Sequence, residues 1–358
     1  MTSKRTALHE SHLALNAKMA EFAGFDMPIQ YTSVKEEAEA VRKSAGMFDV
    51  SHMGEFFCEG PDAVAFVDYL MTNDFAAAPM EKAVYSPICR GDGTVIDDLI
   101  AYKLGKEKVL ICVNAANITK DYNWMVTQIE EFNCTLRNES SDYSLIALQG
   151  PDSEKVLTKL GFENINDVEY YSVKQTTHNG EEVILARTGY TGEDGFEIFT
   201  NNKHIQILWK ELLANGVVPC GLASRDVLRI EVCYPLYGHE ISDEVTPLDS
   251  ALKWTVKLKK DRFVGKEALE NYQPKYRLIK LSLDKGIPRE GYPVVNKEGE
   301  QVGVVTSGTM SVATGKGVAL CHIEKAKFPE DKEFSIQIRK NIVPATYHTK
   351  AFVSGGHK

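Results

Sequence analysis

The feature that most constrains this chain is a repeated junction. Gly60-Pro61-Asp62 and Gly150-Pro151-Asp152 stand 90 residues apart. Each follows an apolar, strand-like run (FDVSHMGEFFCEG and SLIALQG) and opens a helical pattern, PDAVAFVDYLM or PDSEKVLTKLG. Proline suits the first helical position because the N–H it lacks would be unpaired there anyway. After the first helix come two strands within Val84–Leu104, a strand KVLICVN and a helix from about Ile118 to Phe132, with Asn117 as its expected cap. After the second come strands near 168–175, 181–187 and 195–199, then a helix HIQILWKELLANG stopped by Gly216. The same order met twice predicts two α/β units of related build.

A third region has another character. From about Tyr276 the chain breaks into short β-rich runs (YRLIKLSL, EQVGVVTSG, KGVALCHIE, EFSIQIR) separated by glycine-bearing turns, the pattern of a small barrel or sandwich. A boundary is expected near residues 262–275. At 358 residues two or three domains are in any case required.

Several function classes fall away. No run of apolar residues reaches the length of a membrane span, and the N-terminal stretch lacks a signal-peptide core. The seven cysteines are scattered, without a C-x-x-C pair, and read as reduced core residues of a cytosolic protein. His9-Glu10-Ser11-His12 is the nearest approach to a metal cluster and reads as a solvated helix start. A net charge of −9 speaks against a nucleic-acid binder. No dinucleotide fingerprint, phosphate-binding loop or nucleophile elbow is present.

What remains is polar groups in apolar settings. Asp97 and Asp98 are adjacent in VIDDLI, within the second strand of a hairpin turning at Gly91-Asp92-Gly93. Alternation sends them to opposite faces, so they cannot share a proton. Glu197 sits between Phe196 and Ile198 in RTGYTGEDGFEIF, where pattern alone reads an outward-facing acid. Arg225 and Arg229 are one helical turn apart and read as a salt-bridged surface pair, with Asp226 and Glu231 at hand. Lys253–Lys266, KWTVKLKKDRFVGK, concentrates six cations on an acidic chain.

Together these segments closely resemble the T-protein (aminomethyltransferase) family of the glycine cleavage system. The resemblance rests on MFDVSHMGE (47–55), VIDDLI (95–100), ALQGPD (147–152), RTGYTGEDGFEIF (187–199), GLASRDVLRIE (221–231), PLDSALKW (247–254) and TSGT (306–309). It implies an α+β, three-domain cloverleaf of two related ferredoxin-like units and a C-terminal β-barrel around a central folate site. The implied domains are 1–51 with 139–262, then 52–138, then 263–358. It implies a cytoplasmic enzyme that moves the methylene carbon from the S-aminomethyl-dihydrolipoyl arm of the lipoylated H-protein to tetrahydrofolate. The products are 5,10-methylenetetrahydrofolate, ammonia and the dihydrolipoyl carrier, with no metal, membrane or nucleic acid involved.

By the same resemblance Asp97 is the catalytic acid and Asp98 a structural acceptor. Glu197 accepts from the pterin edge, Arg229 pairs with folate, and Tyr85, Asn114, Tyr171 and Tyr190 line the site. Adjacent Tyr170 leaves the register at Tyr171 open by one. Two alternatives share the fold. A folate-binding accessory protein of iron–sulfur maintenance would carry a K-G-C-Y-x-G-Q-E type motif, where this chain reads VCYPLYGHE. The folate domain of an amine-demethylating flavoprotein would need a flavin-binding half.

Overall fold

The structure is a computed structural model and describes residues 3–356. It divides into two compact units, one of residues 3–86, 99–225 and 355–356, the other of residues 87–98 and 226–354. Among the described residues no helix is long and apolar enough to cross a membrane.

The first unit begins with α1 (His9–Ala14), the hairpin β1 (Lys18–Phe22) and β2 (Phe25–Gln30), and α2 (Val34–Lys43). Ser33 caps α2, accepting from the Glu36 N–H at 3.1 Å. Two copies of one plan then follow. After β3 (Gly46–Asp49), the first runs β4 (Gly54–Glu59), α3 (Ala63–Leu70), β5 (Ala83–Cys89), β6 (Val95–Gly105), β7 (Lys108–Val113), α4 (Ile118–Gln128) and β8 (Thr135–Asn138). The second runs β9 (Tyr143–Gln149), α5 (Ser153–Lys159), β10 (Val173–His178), β11 (Glu181–Ala186), β12 (Gly195–Asn201), α6 (His204–Ala214) and β13 (Val218–Pro219).

The sheets are ordered β5-β6-β7-β4-β8 and β10-β11-β12-β9-β3-β13. Matched from β4 and β9 onward, the two orders are the same, except that β3 is inserted between β9 and β13. The repeated tripeptide is therefore a shared turn. Gly60 and Gly150 hold φ of 133° and 125°, and a Cβ there would press on backbone, 2.7 Å from the Asn133 oxygen and 2.4 Å from that of Ser44. Glycine alone satisfies both conditions.

Two local expectations change. α4 ends at Gln128, short of Phe132, and Asn117 closes a 3₁₀ turn (Ala115–Asn117) ahead of it without a side-chain capping bond. His9 and His12 are buried, not solvated. His12 bonds Asp49 Oδ2 at 2.8 Å through Nε2 and the Tyr31 hydroxyl at 2.8 Å through Nδ1, so the helix start is a buried polar network. The core above the six-stranded sheet gathers Leu8, Met47, Leu148, Phe196, Ile198 and Trp209.

The helix α7 (Leu222–Glu231) runs from the first unit into the second. There the chain passes through a mostly irregular connection and α8 (Lys266–Glu270) into a closed barrel. Its strands are β14 (Tyr276–Leu283), β15 (Pro293–Val295), β16 (Gln301–Met310), β17 (Gly317–Glu324), β18 (Phe334–Ile338) and β19 (Asn341–His348), in the order β14-β17-β16-β15-β18-β19. Every second residue fills the interior, as with Ile279 and Leu281, which pair with Cys321 and Ala319. Closure leaves no unpaired edge. The protein is thus a mixed α/β fold with a closed six-stranded C-terminal barrel. No disulfide joins any of the seven cysteines.

Candidate functional site

In the first unit the segment 187–199 is braced before it delivers any chemistry. Arg187 forks onto Asp194, Nε to Oδ1 at 2.9 Å and Nη2 to Oδ2 at 2.7 Å, and Thr191 Oγ1 donates to Gln149 at 2.8 Å. Bidentate, charge-assisted bonds of this kind fix geometry as well as energy. The brace sets the start of β12, and Glu197 follows on it, 7% exposed.

Glu197 is therefore not the outward-facing acid that alternation alone suggested. Its Oε2 accepts from Thr188 Oγ1 at 2.5 Å and from the Tyr102 hydroxyl at 3.2 Å. Tyr102 lies on β6, so both repeats contribute to this carboxylate. Burial first, then the neighbouring Glu197 charge, hold the Tyr102 hydroxyl well above its ordinary pKa, so it remains a donor. Tyr190, half-buried, faces the Arg225 guanidinium at 4.9 Å.

Arg225 itself was read as one of a surface pair. Its Nη1 is buried and has no hydrogen-bond partner in the protein. Burial pulls its pKa down, while the charge of Glu197 opposes that shift. A buried donor left without an acceptor costs about 1–3 kcal/mol, so evolution tolerates it where something else supplies the acceptor. His52 is a second such group. It is 3% exposed, its Nδ1 is unpartnered, and Phe22 stands edge-on to its ring at 5.5 Å. Burial, with Arg225 pushing the same way, lowers its pKa to about 4, so it is a neutral imidazole. Residue type gave no signal for either group; only burial without a partner marks them.

The remaining expected residues of this unit are spread over separate elements. Tyr85 on β5 is half-buried, and its carbonyl accepts from Asn73 Nδ2 at 2.9 Å. Asn114 caps the 3₁₀ turn after β7. Tyr171 takes a left-handed φ of 56° and packs edge-on against Tyr170 at 4.9 Å, both half-buried.

The second unit holds the other two. Arg229 is 1% exposed and its donors are engaged: Nε to Asp226 at 2.8 Å, Nη1 to Glu240 at 2.9 Å and the Tyr234 carbonyl at 3.2 Å, Nη2 to Ser307 at 2.7 Å. The surface-pair reading fails here too. Asp97 is fully buried, and its charge helps raise the pKa of Tyr237 behind burial and the bond to Asp243. The hairpin tip beside it is tied down by an Arg90–Asp243 ion pair and by Val95 N–H to the Val245 carbonyl at 2.9 Å.

Strand alternation separates the two acids as expected, but it assigns their faces in an unexpected way. Asp98, Ile100 and Tyr102 share one face of β6, the face whose tyrosine reaches Glu197. Asp97, Leu99 and Ala101 share the other, and all three are buried. Asp98 is half-buried.

Among the described residues, no group of three or more His, Cys, Asp or Glu could hold a metal ion. Two family models match the chain in order. The GCVT N-terminal domain covers residues 8–260, and the glycine cleavage T-protein C-terminal barrel domain covers residues 277–354. The aminomethyltransferase of Thermosipho melanesiensis is 45% identical over 99% of this chain and 98% of its own length. That of Staphylococcus carnosus is 43% identical over 98% of each. A solved structure, the glycine cleavage system aminomethyltransferase T from Bartonella henselae, superposes with a TM-score of 0.93 at 32% identity, covering 99% of both chains. With both domain models in sequence and relatives matched end to end, the chain belongs to the glycine cleavage T-protein family, the aminomethyltransferases, which are one-carbon transferases.

Proposed function

We propose that the protein transfers the methylene carbon of an S-aminomethyl-dihydrolipoyl arm, carried by a lipoylated H-protein in the cytoplasm, to tetrahydrofolate. Ammonia and the dihydrolipoyl carrier are released, and 5,10-methylenetetrahydrofolate is formed. The protons balance internally: the two folate nitrogens lose one each, the sulfur gains one and the departing amine gains the other.

The observation that carries this reading is the buried Glu197 carboxylate beside Arg225, whose Nη1 lacks an acceptor. No ion pair joins the two side chains. Both protein donors to Glu197 converge on Oε2, which leaves Oε1 to accept from adjacent N–H groups along a pterin edge. Arg225 in turn offers a buried donor to an acceptor on the same substrate. Tyr190 supplies a flat wall, and Tyr85, Asn114 and Tyr171 are assigned to lining the substrate. Resemblance assigned the folate-pairing role to Arg229; since all three of its guanidinium nitrogens already donate within the protein, this proposal gives the role to Arg225. The division into domains 1–51 with 139–262, 52–138 and 263–358 belongs to the same proposal.

As the amine leaves and a pterin nitrogen attacks, positive charge grows on the transferred carbon, and a fixed carboxylate stabilises it. Resemblance assigns that carboxylate to Asp97. A second reading, Asp98, is favoured by one observation: it shares a strand face with Tyr102, the residue that donates to Glu197. We adopt Asp98, with Asp97 as the buried structural acid. The test is tetrahydrofolate-dependent ammonia release from aminomethylated carrier protein. A chain that binds tetrahydrofolate without releasing ammonia would instead be a folate-binding accessory module.

A further inference from the structure

Arg225 lies near the start of α7, and that start has no cap of its own. The residue ahead of the helix is Gly221, where a Cβ would stand 2.1 Å from the Ile29 carbonyl oxygen. No side chain fits there to accept from the helix end. The acceptor comes from α2 instead. Glu37 is fully buried, and its Oε2 accepts from the Gly221 N–H at 2.8 Å. The same oxygen lies 3.0 Å from the Ser224 hydroxyl, whose proton it shares with the Gly221 carbonyl at 2.8 Å. A negative charge at this end also suits the helix dipole. The other oxygen, Oε1, accepts from the Tyr31 N–H at 2.6 Å and the Thr32 N–H at 3.0 Å. One carboxylate thus ties the segment leading into α2 to the start of α7 by charge-assisted bonds.

The same helix holds the opposite side of the site. Arg42, also on α2, donates from Nη1 to the Thr191 carbonyl at 2.6 Å and to Glu193 Oε1 at 2.9 Å. Both acceptors belong to the segment 187–199, which carries Tyr190 and Glu197. Tyr190 is the residue that the Arg225 guanidinium faces at 4.9 Å. α2 therefore braces both partners of that contact. Glu37 has both oxygens engaged inside the protein, so it acts on a ligand only through what it holds.

We propose that Glu37 is the positioning residue for Arg225: it fixes the start of α7 so that the guanidinium stands against Tyr190 and presents Nη1 to tetrahydrofolate. This rests on the ligand role given to Arg225 under the proposed function. Arg225 cannot anchor itself through Nη1, which has no partner in the protein. A binding group of that kind keeps its geometry only if the residues behind it are locked.

The test is a double-mutant cycle read by calorimetric titration with tetrahydrofolate, with melting curves to show that each variant is folded. Glu37→Gln keeps the shape, but its amide has one acceptor oxygen and turns a donor on two of the groups that Glu37 accepts from. It should lower tetrahydrofolate affinity by about five- to ten-fold, as should Arg225→Met by about ten-fold. In the Arg225→Met background Glu37→Gln should lower affinity no further, because the group it positions is gone. A Glu37 that only supports the fold would give losses that multiply, to roughly fifty- to a hundred-fold in the double variant, and that result overturns the positioning role. So does wild-type affinity in Glu37→Gln. Should Glu37→Gln not fold, the cycle is run with Ser224→Ala, which removes one of the two links to α7. That variant should cost about three-fold alone and nothing in the Arg225→Met background; no loss alone, or the same loss in both backgrounds, overturns the proposal. Wild-type affinity in Arg225→Met overturns the ligand role of Arg225 itself, and the positioning role with it.

Discussion

The two ends of α7 carry the same side chain in opposite conditions. At its N-terminal end, in the first unit, Arg225 keeps a buried Nη1 without an acceptor. One turn on, in the second unit, Arg229 distributes its donors over Asp226, Glu240, the Tyr234 carbonyl and Ser307. Glu240 is itself held by Thr306 Oγ1 at 2.5 Å. A well-connected buried network specifies structure, whereas a buried nitrogen without any acceptor points to something to be bound. Under the proposed function that difference separates a framework arginine from a ligand arginine, although sequence spacing treats them as a pair.

The sharpest way to break this contrast is to remove Arg229. Arg229→Met strands the Glu240 carboxylate in a dry interior, and breaking a buried pair from one side costs about 3–5 kcal/mol. Thermal unfolding should move down by many degrees or the chain should fail to fold. An unchanged melting temperature would mean that the network is not structural.

Next in size is the choice between the two acids of β6. Asp98→Asn should fold normally, bind tetrahydrofolate and release ammonia about 10²–10³-fold more slowly, the usual effect of removing one preorganised electrostatic partner. Asp97→Asn should appear in the melting curve first, because that side chain is wholly buried. Single-turnover ammonia release with both variants decides it, and exchanged roles would return the catalytic part to Asp97.

The ligand side of the comparison is smaller in energy. Glu197→Gln sets an amide donor among donors and should lower tetrahydrofolate affinity by roughly ten- to a hundred-fold, from a loss of about 1.5–3 kcal/mol. Arg225→Met should lower it by about ten-fold while leaving stability equal or higher, because a buried donor without an acceptor is removed. If Arg225→Met instead destabilised the fold as Arg229→Met does, the two ends of α7 would be alike and the contrast would be lost.

The smallest effect is a pH signature. Glu55 on β4 is fully buried, neither carboxyl oxygen has a partner, and burial alone pushes its pKa well above the ordinary value. Its folded pKa is raised, so the folded state holds a proton that the unfolded chain gives up above about 4.5. Native stability is therefore lost as pH rises from there. Glu55→Gln should melt higher than wild type at pH 8 and converge with it below pH 4.5. Parallel melting curves across that range would refute the buried neutral acid.

Much of this protein was legible in residue order. The repeat marked by Gly60 and Gly150 was visible because backbone geometry at that junction permits no other residue. The barrel was visible because alternation in YRLIKLSL and KGVALCHIE follows the pleat of a strand, a local property. The matched motifs also carried the family, since the same segments recur in order.

Partnership was not legible. Whether Arg225 or Arg229 is left with an unpaired donor depends on Glu240 and Ser307, and the latter lies 78 residues away from Arg229. Alternation puts Asp98 and Tyr102 on one face of β6 and Asp97 on the other, but which face meets a substrate depends on how the sheet is laid against its neighbours. Glu197 looked outward until Tyr102, 95 residues earlier, and Thr188 closed on it. The sequence by itself determined the elements and their repetition, because these are set by local geometry and hydrophobic periodicity. Only the tertiary structure decided which polar groups are satisfied and which still need a partner, because satisfaction is a property of distant residues brought within about 3 Å.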